Sequence, residues 1–305
     1  MGKYIIKRLL FSVLVVFAVS IAVFLITHVI GNPVDVMLPL QATEAERDAL
    51  TRQLGFDKPV LEQLRTFLWQ AIRLDFGNSW YQNIPCSQII AERMQRSLEL
   101  IGVAFAIAAL VAIPLGIVAA YKQESILDRA LTTTSLIGVS LPEFWFGLML
   151  ILFFALRLDL FPTSGYGSLQ HIILPASTLS ILPAGHLAQV VRFSMQEQIS
   201  APYTTTALAK GVSDTNVLFH HNLRNAMTSA LTIFGHDLGS SLAGHTSAVE
   251  IVFGWPGFGM MLVDTINQQD FPLLQASVFV VAVIISLINL IIDIFYAALD
   301  PRIRY

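Results

Sequence analysis

The sequence predicts an all-α, polytopic membrane protein with about six transmembrane helices. Three observations carry that fold class. Of 305 residues, 55% are hydrophobic and 13% charged, with a mean hydropathy of +0.67, whereas a typical soluble domain is about 25% charged. The apolar residues gather in uncharged runs of about 20 residues, which a soluble chain of this length would interrupt. In the short connecting segments lysine and arginine gather on one side of those runs, the remaining basic residues lying in a longer segment at 31–97 that can translocate regardless of charge.

The first span follows Lys3, Lys7 and Arg8 and runs uncharged over residues 9–27, enough helix to cross about 30 Å of hydrocarbon. It exceeds the roughly 7–15 apolar residues of a signal peptide, and no small-x-small cleavage site follows it, so it reads as a retained helix. Further spans are predicted at 100–120, 131–156, 172–191, 226–249 and 273–292. The fourth and fifth are rich in Ser, Thr, His and Gly, which fits helices facing protein or a wet cavity rather than lipid.

With the N-terminus inside, the short inside segments hold Lys3, Lys7, Arg8, Lys122, Arg129, Arg192, Lys210, Arg224, Arg302 and Arg304. The short outside loops hold Arg157 alone. The positive-inside rule therefore places both termini in the cytoplasm. Residues 31–97 form an outside segment long enough for a small extracytoplasmic subdomain. Helical periodicity is predicted there at 45–54 and 60–74, punctuated by Gly55, Pro59 and Gly77. The chain thus divides into 1–30, 31–97 and a core at 98–305 that includes a cytoplasmic loop at 194–225.

A net charge of −3 leaves no basic field for nucleic acid. The single cysteine, Cys86, excludes an internal disulfide and a cysteine metal cluster. No G-x-x-x-x-G-K-[ST], H-E-x-x-H or G-x-S-x-G is present, so the chain reads as neither an ATPase of that class nor a membrane hydrolase, and holds no cofactor of its own. His220 and His221 are adjacent, diverge on a helix and lack further ligands, so no metal site is predicted.

Intramembrane polar groups concentrate on the fifth span. Asp237, Ser241 and His245 recur at i, i+4, i+8, beside His236, Ser240 and Gly244. Two readings fit this double stripe: it lines a translocation path, because ionisable groups at membrane depth need water or partners, or it packs against helices. Gly235 and Gly239, a G-x-x-x-G, fit the packing reading. Glu143 after Pro142 is read as a buried structural acid at a kink or as a gate.

Between the fourth and fifth spans lies Pro202-Tyr203-Thr204-Thr205-Thr206-Ala207-Leu208-Ala209-Lys210-Gly211-Val212, followed by His221-Asn222-Leu223-Arg224-Asn225-Ala226. It reads as two short helices separated at Gly211, with small residues at Ala207 and Gly211 that leave a shallow docking face.

These residues resemble the permease subunits of the dipeptide, oligopeptide and nickel branch of ABC importers. Thr206 to Gly211 is similar to that branch's coupling motif, usually T-A-R-A-K-G, and His221, Leu223, Arg224, Asn225 and Ala226 match the following H-x-L-R-N-A. Leu54-Gly55-Phe56-Asp57-Lys58-Pro59 and Leu74-Asp75-Phe76-Gly77-Asn78-Ser79 resemble its extracytoplasmic signatures. Trp255-Pro256-Gly257-Phe258-Gly259 and Ala298-Leu299-Asp300-Pro301-Arg302-Ile303-Arg304 resemble its late loop and C-terminal end. Two departures stand out: Leu208 replaces the usual Arg, and the E-A-A form is reduced to Thr205-Thr206-Ala207.

The resemblance implies a type I importer permease in a bacterial cytoplasmic membrane. Its implied partners are a second permease, two cytoplasmic ATPases that hold ATP and Mg, an extracytoplasmic binding protein and membrane lipid. It also implies an ATPase-coupling role for Thr206, Ala207, Ala209, Lys210, Gly211, His221, Arg224 and Asn225, and a binding-protein-side role for Trp255, Pro256 and Gly257. Peptides are the first expected substrate, with nickel or a metal chelate next. The rival reading is an ATPase-independent channel or proton-linked carrier using Asp237, His236 and His245 as a relay. A structural scaffold is the third.

Overall fold

A computed structural model describes residues 2–30, 38 and 43–299. In chain order its helices are α1 (Gly2–Ile30), α2 (Glu44–Leu54), α3 (Val60–Ile72), α4 (Cys86–Tyr121), α5 (Ile126–Ser140), α6 (Glu143–Leu150), α7 (Leu169–Ile199), α8 (Pro202–Ala209), α9 (Asp214–Asn216), α10 (Leu223–Ser240), α11 (Thr246–Val252), α12 (Phe258–Asn267) and α13 (Phe271–Leu299). Wider π-helical turns at Ile151–Arg157, Val217–Asn222 and Ser241–His245 extend α6, lead into α10 and join α10 to α11. The described residues hold no β-strand, only one antiparallel bridge between Asn78 and Pro85. Asp300 to Arg304, in the C-terminal signature, and residues 31–37 and 39–42 lie outside the described residues.

Among the described residues, four helical stretches are long and apolar enough to cross a bilayer: Ile6–Thr27, Cys86–Tyr121, Leu169–Ile199 and Phe271–Ile292. The expected span at 131–156 is instead a broken pair, Ile126–Ser140 and Glu143–Arg157, bent by 103°. Pro142 has no N–H and forces Leu141 into extended backbone at ψ 132°, which ends α5. The expected helix at 226–249 is also interrupted. It runs as α10, a π-turn and α11, and within the turn Gly244 adopts φ 139°, a conformation open chiefly to glycine.

Two compact units result: residues 1–95 with 260–290, and residues 96–259 with 291–305. They cut across the sequence-based division, because 260–290 gathers with the N-terminal residues. In the first unit, Thr43 and Glu46 form a reciprocal capping box that starts α2. Glu46 accepts the Thr43 N–H at 2.8 Å, and Thr43 accepts the Glu46 N–H at 3.4 Å. These bonds lower the Glu46 pKa, so the cap is complete above the ordinary glutamate range and is lost as pH falls through the lowered value. Gly55, at φ 74°, ends α2.

The buried Asp270 carboxylate organises the rest of this unit. It accepts from the Ser79 hydroxyl, from Trp80 N at 3.2 Å and Tyr81 N at 3.4 Å, and caps α13 through Leu273 N at 3.4 Å. Farther along, Gln275 donates to Thr27 at 2.6 Å, and Phe24 stacks on Phe67 with 5.7 Å between centroids.

The second unit is built around α7, the most buried of the four spans. Its neighbours approach so closely that glycine is required at the contacts. A Cβ at Gly185 of α7 would stand 2.8 Å from Val139 Cγ2 and 3.1 Å from Ser135 O of α5. A Cβ at Gly116 of α4 would stand 2.9 Å from Ala188 O and Val191 of α7. Ala112, Ile117, Ala120, Leu187, Ala188, Val191, Met195, Ala226 and Ala230 close the core between α4, α7 and α10. Gly185→Leu is expected to destabilise the core of the second unit by about 2–3 kcal/mol through overpacking. The thermal midpoint in detergent, measured against wild type, should fall; an unchanged midpoint refutes the close contact.

Candidate functional site

The residues singled out in the sequence occupy three places in the second unit. The first is the segment 202–225. Pro202, whose fixed φ suits a first helical turn, opens α8. Gly211 closes it at φ 83°, with Gly211 N donating to Leu208 O at 2.9 Å and Val212 N to Ala207 O at 3.2 Å. Thr206, Leu208, Ala209, Lys210 and Gly211 are exposed, and Ala207 is half-buried. His221 lies in the second π-turn and Arg224 in the first turn of α10, both exposed.

One face of α8 is fastened. Thr204 is buried, and its hydroxyl bridges Gln198 O at 2.7 Å and the Asn222 side-chain amide at 2.9 Å. Asn222 is itself 2% exposed. Asn225 donates to the Tyr203 hydroxyl at 3.3 Å, and that hydroxyl donates to Gln198 Oε1 at 2.7 Å. The short helix is thus tied both to the end of α7 and to the entry of α10. Deeper on α7, the Arg192 guanidinium forks onto Asp128 of α5, with Nη2 to Oδ2 at 3.0 Å and Nε to Oδ1 closer. Arg192, counted from sequence among the inside charges, is therefore also a structural clamp.

The second place is the polar stripe. Asp237 is buried on α10 and meets His186 Nδ1 of α7 at 2.9 Å. His236 is exposed, with Nδ1 3.6 Å from Asp237 Oδ1. Ser240 is half-buried, Ser241 buried and His245 exposed. The π-turn breaks the regular i, i+4 register after Ser240, so Asp237, Ser241 and His245 do not continue one straight α-helical face. Gly235, predicted as a close-packing residue, sits against Ile292, where a Cβ would come within 2.7 Å of Cδ1.

The third place is the loop after α11. Trp255 is 2% exposed, its indole donates to Arg96 O at 3.1 Å, and its ring meets Tyr166 edge-on at 4.9 Å. Tyr166 donates to Glu99 at 2.9 Å, and that bond raises its pKa. Beneath the loop lies Glu250, fully buried, accepting from the Ser97 hydroxyl, which in turn accepts Phe258 N at 2.7 Å. The Glu250 carboxylate occupies the space a Cβ at Gly257 would need, which explains glycine there.

Sequence reasoning missed His186, Asp128, Thr204, Asn222, Ser97 and Glu250. Each finds a partner far along the chain or inside a motif position that carries no compositional signal. Glu143 is partly exposed at the first turn of α6.

Residues 112–305 match the family described as the binding-protein-dependent transport system inner membrane component. This chain belongs to that family. Over its full length the permease is 38% identical to the glutathione transport system permease protein GsiC of Escherichia coli and 35% identical to the oligopeptide transport system permease protein AppB of Bacillus subtilis, covering all of each. It is 36% identical to a putative peptide transport system permease protein of Brucella abortus, again over both whole chains. A solved structure described as inward facing conformations of the MetNI methionine ABC transporter superposes with a TM-score of 0.57 at 15% identity, covering 70% of this chain and 97% of that one. The fold is that of a type I importer permease. The chain is a transport subunit and not an enzyme, and ATP hydrolysis in such importers resides in separate subunits.

Thr204→Val removes the hydroxyl that joins α8 to Asn222 and leaves a buried amide short of a partner. The expected effect is roughly tenfold slower substrate uptake with normal membrane insertion, the rate equivalent of one buried hydrogen bond. Uptake by membrane vesicles, normalised to permease content, measures it.

Proposed function

We propose that this permease carries di- and oligopeptides across a bacterial cytoplasmic membrane by ATP-driven alternating access. It works as one half of a heterodimeric pore, with ATP and Mg bound on two cytoplasmic ATPases and substrate delivered by an extracytoplasmic binding protein. The observation that carries the reading is the exposed α8, fastened to α10 at Thr204–Asn222 and ended by Gly211. A short helix held on one face and free on the other can sit in a partner's groove and move what it is tied to. Both termini and the 194–225 loop lie in the cytoplasm in this reading, as the lysine and arginine distribution supports.

Peptides are favoured as substrate by the peptide and oligopeptide names of full-length relatives. The ATPase-independent relay is disfavoured, because Asp237 is engaged by His186 while His245 lies beyond the break at Gly244.

Gly211→Val places a β-branched residue at φ 83°, strained by about 1–2 kcal/mol with no neighbouring atom to push against. The expected result is loss of uptake with the second permease and both ATPases still co-purifying. Undiminished uptake removes the coupling role. For substrate, titrating the cognate binding protein and measuring competition for uptake should show di- or oligopeptides binding and nickel chelates failing; the opposite ranking rejects the peptide reading.

A further inference from the structure

The first unit carries two cavities that follow one another along the same pair of helices. The upper, about 560 Å³, is walled by Phe24, Phe67, Phe76, Trp80 and Phe271 and rimmed by Arg52 and Lys58. The lower, about 320 Å³, is lined by apolar side chains and serines of α1, α3 and α13. On α1 the lining residues run from Thr27 and Phe24 in the upper cavity to Ser20, Phe17, Val13 and Leu9 in the lower. Their three- and four-residue spacing makes them one helix face. On α13, Phe271 and Gln275 lead in the same register to Phe279, Val283 and Leu290.

We infer that this groove holds one anionic glycerophospholipid, its phosphate between Arg52 and Lys58 and an acyl chain along the α1–α13 face. Length and charge both favour this occupant. From Ser20 to Leu9 the lower cavity runs about 16 Å, half of a ~30 Å hydrocarbon layer and the reach of one acyl chain. The upper rim sets two cations against one lining carboxylate, Asp75, which accepts Gly77 N at 3.4 Å. Lys58 also pairs with Glu62 at 3.2 Å, but both are half exposed and that pair is readily exchanged. Ser20 satisfies its hydroxyl on Val16 O at 2.6 Å, so its place in the lower groove leaves that hydroxyl paired. The inference is independent of the transported substrate.

The test is native mass spectrometry of the intact importer complex, taken from nanodiscs of phosphatidylcholine doped with phosphatidylglycerol. One phosphatidylglycerol per permease is expected to survive delipidation. Arg52→Gln with Lys58→Gln should lower its retention about tenfold, and Val13→Trp, at an exposed position of the lower groove, should lower it comparably. Co-purification of the partner subunits establishes that the variants are assembled. Equal retention of phosphatidylcholine, or full retention by either variant, overturns the proposal. So does displacement by soluble glycerol 3-phosphate at the concentration at which phosphatidylglycerol itself displaces, since that marks a soluble phosphate site.

Discussion

The close approach of helices to α7 is the constraint on which the second unit depends. Lipid tails are as apolar as leucine, so helices in a bilayer gain little from burying hydrophobic surface against one another and rely on tight packing and polar contacts. Gly185 and Gly116 provide the tight packing, and Asp128–Arg192 and Asp237–His186 the polar contacts. A span of such low hydropathy, with serine, threonine and two prolines along it, is a weak candidate for a lipid-facing helix. It is suited to a central one, since Pro175 and Pro183 are both buried within it and surrounded by protein.

That inversion marks how far the sequence was readable. Hydropathy located α1, α4, α7 and the membrane part of α13, and Pro202 and Gly211 bracketed α8, because each of these signals is local. Pro142 announced a kink within one span but not a break: a bend of 103° depends on what the following helix packs against, and a Cβ at Gly147 of α6 would stand only 3.0 Å from the Phe253 ring. The interruption at Ser241–His245 left no periodic trace, since the flanking helices keep ordinary helical residues and only Gly244 carries the unusual dihedral. Partners such as His186 for Asp237 and Ser97 for Glu250 are 51 and 153 positions away, beyond any reading of spacing.

The late loop shows why a motif can be legible while its cause is not. Trp255-Pro256-Gly257 stands out in sequence as a recognisable run. Its structure is set from below, by a carboxylate that fills the space over Gly257 and by the Ser97 hydroxyl that links that carboxylate to Phe258 N. Trp255 is accordingly a buried strut rather than an exposed contact, and any docking role of this loop rests on the backbone shape that Glu250 maintains.

Stiffness along α10 is distributed in a way that bears on coupling. At its entry, Asn222 is pinned to Thr204. In its middle, Phe234 meets Phe105 edge-on at 5.0 Å and Gly235 lies against Ile292. At its far end regular hydrogen bonding gives way to a π-turn in which Gly244 has open space where a side chain would be. A helix held at one end and through its middle cannot absorb a displacement of α8 by bending there, because packed cores deform between discrete arrangements rather than continuously. In the proposed cycle the displacement is therefore taken up at Ser241–His245, one turn beyond the buried Asp237. The residues that looked from sequence like a continuous polar stripe are better divided at Ser240: Asp237 belongs to the rigid arm and His245 to the far side of its joint.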